Sequence, residues 1–296
     1  MTNALPHWYL LGAGNMGTLA AWYLTRAGHA VTVIKDNASP MQEKTLCFPD
    51  GQRHSLNLPV RAPGQISTTI DHLIVAVKTP YSQVALAPII QHLHTRTQLI
   101  RLQNGLGALD GLLPHGILPL EAVSTSAVKG QHPHHDIVAE NTTWLGGHGE
   151  KPPWMNGLQN HWPNLVWTRD IRIPQWQKLV ANAVINPLTA LHDVPNGQII
   201  DDPSLRLCAE KICMEADMVL QALNNDWPGQ SLDNVLAVAR ATANNTSSMR
   251  ADRQRGATTE IDAINGWIVR QADQLGIEAP ENQAVVSALR RGSVAG

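Results

Sequence analysis

A glycine-rich turn near the amino terminus sets the strongest limit on how this chain can fold. Gly12, Gly14 and Gly17 form a G-x-G-x-x-G pattern that follows the apolar run 8–11 and opens a helical pattern ending at Gly28. Glycines at this spacing allow a tight turn, close approach of the backbone to a pyrophosphate, and close helix–strand packing. The pattern therefore predicts a strand, a phosphate-binding turn and a helix over 14–28.

The rest of the first half alternates short apolar runs with helical patterns, which is typical of a parallel α/β sheet. Further strands are predicted at 31–34, 72–77, 97–103, 122–127, 143–145 and 165–167, with a Gly- and Pro-rich loop at 146–154. Helices are predicted from Pro174 onward, at 175–191, 203–224, 231–244, 259–275 and 281–291. The predicted fold class is therefore α/β, with an N-terminal Rossmann-type parallel sheet domain (1–170) and an all-α C-terminal domain (171–296).

Charge and composition limit the possible partners. The formal net charge of −2 gives no basic footprint for nucleic acid, so a small molecule is the expected partner. No segment approaches 18 uninterrupted apolar residues, so no membrane span is expected. The first residues lack a signal-peptide pattern. Three cysteines without a CxxC pair indicate a reduced, cytoplasmic protein. The protein is also expected to be a monomer or homodimer.

The histidines at 132, 134 and 135 are the only cluster that suggests a metal. No regular ligand spacing accompanies His132, His134 and His135, so we interpret this segment as a loop between strands and expect no metal site.

The cofactor site is predicted around the glycine turn, which also contains Asn15 and Met16. The helix that starts there offers free N–H groups and a positive dipole end to phosphates. The second strand ends in Lys35 and Asp36. An acid at this place favours NAD and a cation favours the 2′-phosphate of NADP, and only one of the two need face the ribose because strand side chains alternate. The residues alone leave the choice open.

Two polar residues follow predicted strands of the same sheet. Lys78 comes after the run HLIVAV, and Asn104 comes after TQLIRLQ. Open α/β sheets bind ligands at the carboxyl ends of their strands, so both are candidate ligand contacts. A solvated surface lysine and a plain Asn-Gly turn are the alternatives.

Three polar residues recur inside the apolar helical segment 176–191. Lys178, Asn182 and Asn186 are spaced four apart and so share one helix face. Buried polar groups need partners, which for this face means either a small polar substrate or a structural network.

A second polar group follows in the helical half. Ser248 lies in the cluster NNTSSM, and Glu260 follows it by twelve residues. We expect Glu260 in the first turn of a helix capped by Thr258 or Thr259, where the helix dipole favours a carboxylate.

The chain resembles the ketopantoate reductases, also called 2-dehydropantoate 2-reductases. The matching segments run in order through nearly the whole chain: LGAGNMG, VAVK, QNGLG, WQKLVANAVINPLTAL, PNG, NNTSSM and TTEIDAINGW. Many families share the glycine pattern, whereas KLVANAVINPLTAL and the pair SSM…TEID…ING are fairly specific to this one.

The resemblance implies NAD(P)H-dependent reduction of ketopantoate to pantoate on the route to pantothenate and coenzyme A. It implies that Lys178 is the general acid and that Glu260 orients the substrate and the lysine. Other positions match family residues for the pyrophosphate loop (Gly12, Gly14, Gly17), for substrate binding (Asn182, Asn186, Ser248), and for linking cofactor to substrate (Lys78, Asn104).

One departure concerns the cofactor. Family members usually place an arginine at the end of the second strand to hold the 2′-phosphate, and here Asp36 occupies that position with Lys35 before it. We therefore expect NADP(H) with weakened discrimination, with Lys35 or a nearby residue in the arginine's role, and NAD(H) stays open because of Asp36.

Two other functions compete with ketopantoate reduction. One is a reductase of another branched 2-keto acid or a hydroxyacid dehydrogenase; many of these have a glycine-rich run before the lysine, which residues 171–177 lack. The other is a non-catalytic NADP-sensing regulator, which would need the glycine turn but no polar second site.

Overall fold

The computed structural model describes residues 5–36, 39–147 and 149–292, so His148 of the predicted loop lies outside the described residues. The chain divides into two compact units, one of Met1–Gln103 with Leu109–Ile171 and one of Asn104–Ala108 with Arg172–Gly296. The short segment Asn104–Ala108, placed in the first domain by sequence, therefore belongs to the second unit.

The first unit is built on a sheet that has 11 strands within the described residues, in the order β11-β10-β7-β6-β5-β1-β2-β4-β3-β9-β8. The strands are β1 (His7–Leu11), β2 (Ala30–Ile34), β3 (Met41–Cys47), β4 (Arg53–Arg61), β5 (His72–Val75), β6 (Gln98–Arg101), β7 (Leu120–Ser124), β8 (Ala127–Gln131), β9 (His134–Ala139), β10 (Thr143–Gly146) and β11 (Leu165–Thr168). Strands β2, β1, β5, β6 and β7 pair in parallel, as expected for a Rossmann-type sheet.

Apolar side chains cover both faces of this sheet. Leu10 packs in one cluster with α1 (Asn15–Arg26), while its neighbour Leu11 packs in a second cluster with α2 (Ser82–Leu86). Successive strand residues point to opposite faces, so the continuous apolar strands of this unit supply both clusters. A short helix, α3 (Met155–Leu158), contributes to the first cluster.

The predicted α/β fold class is confirmed, and the sheet also contains antiparallel pairs that the sequence analysis did not predict. Antiparallel pairs join β3 to β4, β8 to β9 and β7 to β10. The prediction missed β3 and β4 entirely, and it was wrong to place His134 and His135 in a loop, because they begin β9. His135 is 1% exposed and hydrogen-bonded, so it faces the interior, whereas an exposed loop was expected for it.

The second unit is helical. Its helices are α4 (Arg172–His192), α5 (Gln198–Asp201), α6 (Pro203–Leu223), α7 (Ser231–Ala241), α8 (Ser248–Gln254), α9 (Asn265–Leu275) and α10 (Pro280–Gly292). Helix α4 packs against α6, α7, α8 and α10, and its buried residues Val180, Val184 and Leu188 lie in the core of the unit. Among the described residues, no helix combines the length and apolar character that crossing a membrane requires.

A proline inside α4 determines how α9 is attached. Pro187 has no N–H, so the carbonyl of Ala183, four residues earlier, lacks its usual helical partner. The side-chain amide of Asn265 donates to this carbonyl at 2.8 Å and to Asn282 Oδ1 at 3.0 Å. Because Asn265 begins α9, this buried contact fixes the segment just after Glu260 against the middle of α4.

Candidate functional site

The glycine turn has room for an anion at its middle glycine. Gly12 has φ +95°, and a Cβ there would lie 2.3 Å from Val77 N. A Cβ on Gly17 would lie 1.9 Å from Gly12 O, whereas a Cβ on Gly14 would meet nothing within 4 Å. The outer two glycines are thus required by the turn itself. The middle one leaves open space before the free N–H groups of the first turn of α1, which suits a dinucleotide pyrophosphate.

The side chains of Asn15 and Met16 face the protein rather than the turn. Asn15 Nδ2 donates to Val128 O at 3.2 Å, and its Oδ1 lies 2.8 Å from His135 Nδ1. Met16 packs against an apolar cluster of the first unit. Any contact of these two residues with a cofactor is therefore expected through their backbone N–H groups.

A polar cavity of about 350 Å³ lies at the end of β2. Of the adjacent pair Lys35 and Asp36, it is Lys35 that lines this cavity, together with Gln42, Glu43 and His132. The side chain at the end of the second strand of a Rossmann-type sheet meets the ribose of the bound dinucleotide. The cavity thus brings Lys35 together with His132, which sequence analysis did not select as a cofactor residue, at the strand end where the ribose of a dinucleotide is expected.

Lys78 and Asn104 lie in different units. Lys78 is half-buried in the first unit and directly precedes a 3-10 turn over Thr79–Tyr81. Close to it, Gln103 Nε2 donates to Val77 O at 2.7 Å and to Ser82 Oγ at 2.8 Å. These bonds hold the backbone beside Lys78 at the carboxyl end of β5.

Asn104 is hydrogen-bonded to Glu260 within the second unit. Its Nδ2 donates to Glu260 Oε2 at 3.3 Å, and Leu106 N donates to Ala263 O at 2.7 Å. Gly105 has φ +74°, and a Cβ there would lie 2.4 Å from Ala263 O, so this close contact needs glycine. The Asn-Gly pair is thus more than a solvent-exposed turn, because it brings the amide to a carboxylate 156 residues away.

Glu260 is buried, with 7% of its surface exposed, but it does not lie in the predicted helix turn. It precedes a 3-10 turn over Ile261–Ala263, and α9 starts only at Asn265, so the prediction of a helix from 259 capped by threonine was wrong. The break comes at Ile264, whose φ of −102° and ψ of −94° are not helical.

The polar face of α4 carries two amides that the described part of the chain leaves without hydrogen-bond partners. Lys178 and Asn182 are half-buried and Asn186 is 6% exposed. Among the described residues, neither the Asn182 nor the Asn186 side chain hydrogen-bonds to another protein group. A structural network was the alternative explanation for this face, and these amides do not form one. Their free donors and acceptors are instead suited to a ligand.

The serine selected from sequence is exposed, and its neighbour is the buried one. Ser248 is the first residue of α8, whereas Ser247 caps that helix by accepting from Arg250 N at 3.1 Å. Ser247 Oγ also lies 2.7 Å from Thr189 Oγ1 on α4. Ser247 therefore fixes α8 to α4, which leaves Ser248 at the start of α8 and open to solvent. The pattern of a serine before a helix could have identified this cap.

Comparison with protein families identifies the chain. The family model described as ketopantoate reductase PanE/ApbA matches residues 8–149, and the model of its C-terminal part matches residues 170–293. The chain belongs to the ketopantoate reductase family. It is 30% identical over 292 residues to the 2-dehydropantoate 2-reductase of Vibrio cholerae, with 95% of this chain and 96% of that protein covered. It is also 30% identical over 289 residues to the enzyme of that name from Escherichia coli O157:H7, with 95% and 93% covered.

Solved structures confirm the fold expected for a ketopantoate reductase. A dimeric ketopantoate reductase from Staphylococcus aureus superposes with a TM-score of 0.84 at 21% identity, covering 97% of this chain and 99% of that one. A D-mandelate dehydrogenase, solved with NADH and anilino(oxo)acetate, superposes with a TM-score of 0.82 at 19% identity, covering 97% and 98%. The α/β architecture with a helical C-terminal part is therefore that of the family.

Proposed function

We propose that this chain reduces 2-dehydropantoate to pantoate with a reduced nicotinamide dinucleotide, and that NADPH is the preferred one. The observation that carries the proposal is the polar face of α4, where Lys178 shares one helix face with two amides that have no protein partner among the described residues. The same unit holds the buried Glu260 with its bond from Asn104. Relatives named 2-dehydropantoate 2-reductase that are 30% identical support the substrate.

The proposed chemistry follows from the functional groups of the substrate. Ketopantoate has a carboxylate, a 2-keto group and a hydroxyl, and reduction at C2 builds negative charge on the keto oxygen. The dinucleotide, when bound, supplies the hydride. We assign the proton to Lys178, because an ammonium at the keto oxygen stabilises the developing charge and then protonates it. Asn182, Asn186 and Ser248 carry the neutral donors that suit the remaining substrate oxygens.

Glu260 is assigned an orienting role. A buried carboxylate needs hydrogen-bond donors or a cation to remain ionised, and Asn104 supplies one such donor. We propose that Glu260 holds the substrate and the Lys178 ammonium in the reactive arrangement, while Asn104 keeps the carboxylate in place.

NADPH preference is inferred from the cavity at the end of β2. Lys35 lines it and would carry the role of the family's arginine toward the 2′-phosphate. Lys35 is exposed, so an ion pair between its ammonium and the 2′-phosphate would contribute little to the binding free energy. The adjacent carboxylate of Asp36 would further weaken the attraction of this strand end for a phosphate. Discrimination against NADH is therefore expected to be weak. We also propose a monomer or homodimer, in keeping with the dimeric Staphylococcus aureus reductase.

A keto-acid panel with both dinucleotides tests this function. We expect the highest kcat/KM with ketopantoate, and a preference for NADPH over NADH of roughly tenfold or less, the range of one exposed charge contact. The panel should include other branched 2-keto acids and an aromatic 2-keto acid, because a D-mandelate dehydrogenase shares the fold. Turnover is followed by the absorbance of the reduced dinucleotide.

The panel separates the parts of the proposal. A strong preference for NADH would refute the role given to Lys35. Failure to oxidise either dinucleotide with saturating ketopantoate would refute the substrate, and a higher kcat/KM for an aromatic keto acid would favour the dehydrogenase alternative.

Replacing Glu260 with glutamine is expected to lower kcat/KM for ketopantoate by about 100-fold, because the amide keeps the shape but loses the charge that orients the lysine. Steady-state kinetics measure the effect. Glu278→Gln is the matched control, since Glu278 is an exposed carboxylate of the same unit. A kcat/KM for Glu260→Gln equal to that of the control would remove Glu260 from the site.

A further inference from the structure

A lysine lies fully buried directly behind the glycine turn. Lys44 is on β3 and has 0% of its surface exposed. Its ammonium donates to Ala13 O at 2.6 Å and lies 3.4 Å from His135 Nε2. Since Ala13 stands between Gly12 and Gly14, the ammonium is bonded to the backbone of the turn itself.

The neighbours of Lys44 form a chain of donors that runs in one direction. His135 Nδ1 lies 2.8 Å from Asn15 Oδ1, and Asn15 Nδ2 donates to Val128 O at 3.2 Å. A neutral His135 satisfies this chain, because its Nδ1–H donates to Asn15 while Nε2 accepts from the lysine. Burial lowers the pKa of His135 to about 4, with the charge of Lys44 as a further cause, in agreement with a neutral ring.

The charge of Lys44 has no acidic hydrogen-bond partner in the part of the chain that the structure describes. Among the described residues its hydrogen-bond partners are a carbonyl and a neutral imidazole. Burial lowers the pKa of Lys44 to about 8, and the nearby charge of Lys35 acts in the same direction. An uncompensated buried charge destabilises a fold. The turn does not need it as a donor either, since Thr18 Oγ1 also donates to Ala13 O, at 3.1 Å.

We propose that Lys44 is the buried counter-charge for the phosphates of the dinucleotide, so that binding the dinucleotide at the glycine turn holds a proton on Lys44. This inference rests on the dinucleotide site of the proposed function. A pyrophosphate in the open space at Gly14 would supply the negative charge that the protein does not. Lys44 thereby differs from Lys35, which lines the cavity at the end of β2 and is proposed to contact only the 2′-phosphate.

The sign of the pH dependence follows from the groups around Lys44. His132 and His135 have their pKa lowered by burial and stay neutral above pH 7. The residues of helix α1 in this network are Asn15 and Thr18, and both are uncharged. The positive charge of Lys35 repels that of Lys44 and so lowers the pKa of Lys44. Free Lys44 loses its proton as the pH rises through about 8. An anion at the turn raises that pKa, so affinity is complete below pH 8 and falls above it.

Direct binding measurements test this inference without any substrate. The Kd values of NADH and NADPH are measured by calorimetry from pH 7 to pH 9 for wild type, Lys44→Met and Lys35→Ala. For wild type we expect Kd to rise roughly fivefold over this range, and uptake of roughly 0.4 proton per NADH at pH 8 in buffers of different ionisation enthalpy. NADH is the cleaner of the two dinucleotides because it lacks the titrating 2′-phosphate.

The two variants separate the two lysines. Lys44→Met is expected to bind both dinucleotides roughly tenfold more weakly at pH 7 and to lose the pH dependence. Lys35→Ala is expected to weaken NADPH alone. Wild-type affinity in Lys44→Met, or an unchanged pH dependence, would overturn the role of Lys44. If Lys44→Met does not fold, proton uptake by wild type decides, and its absence overturns the proposal. None of these outcomes depends on which keto acid is reduced.

Discussion

Replacing Lys178 with alanine is expected to lower kcat for ketopantoate reduction by about 10³-fold, while the Kd of the dinucleotide stays at its wild-type value. One ammonium supplies both the proton and the positive charge at the developing oxyanion. Loss of either function costs on the order of 10²- to 10³-fold, and the two losses overlap because the same group is removed. Dinucleotide binding should be unaffected, because the role assigned to Lys178 concerns the keto oxygen of the substrate, whereas the glycine turn is the proposed site of the pyrophosphate. Steady-state turnover and calorimetric binding together measure the two quantities.

Lys211→Ala is the matched control for this experiment. Lys211 is an exposed lysine of the same unit, paired with Glu281 at 2.9 Å, and its loss should leave kcat unchanged. A kcat for Lys178→Ala within a few-fold of wild type would end the mechanism assigned to this lysine. If the wild-type protein binds dinucleotide but turns over no keto acid, the result would instead favour the NADP-sensing regulator.

Local spacing explains why part of the candidate site could be predicted from sequence. Lys178, Asn182 and Asn186 share a face because of helix geometry alone, so their common orientation needed no tertiary information. The bond between Asn104 and Glu260 joins residues 156 apart, and no local pattern places them together. Only the family resemblance brought these two residues into one proposed site.

Strand β3 shows where reading the sequence failed. Its partner β4 alternates buried Leu56 and Leu58 with exposed residues, a pattern of period two that a closer reading would have found. In β3 the buried positions are Lys44 and Leu46, and a hydrophobic pattern scores the lysine as solvent-exposed. Lys44 and His135 meet through the pairing of separate strands, so no pattern within one segment predicts the hydrogen-bond network behind the glycine turn.

Replacing Gly14 with valine is expected to weaken dinucleotide binding strongly without unfolding the protein. The φ of −76° and ψ of −161° at Gly14 suit an L-residue, and a Cβ there meets nothing within 4 Å. The melting temperature of the free protein should therefore stay within about 3 °C of wild type. The added side chain would occupy the space before the first turn of α1, so the Kd of either dinucleotide should rise by about 100-fold.

Two further glycine variants make this prediction decisive, because each isolates one consequence of adding a side chain. Gly64→Ala adds a Cβ into equally open space elsewhere in the first unit, so both its stability and its dinucleotide affinity should match wild type. Gly17→Ala forces a Cβ to 1.9 Å from Gly12 O, so it should lower the melting temperature as well as the affinity. Of the three, only the Gly14 variant should change the dinucleotide affinity while keeping the melting temperature, because Gly14 leaves space for the ligand and is not required by the fold. Unchanged dinucleotide affinity in a folded Gly14→Val protein would place the pyrophosphate somewhere other than this turn.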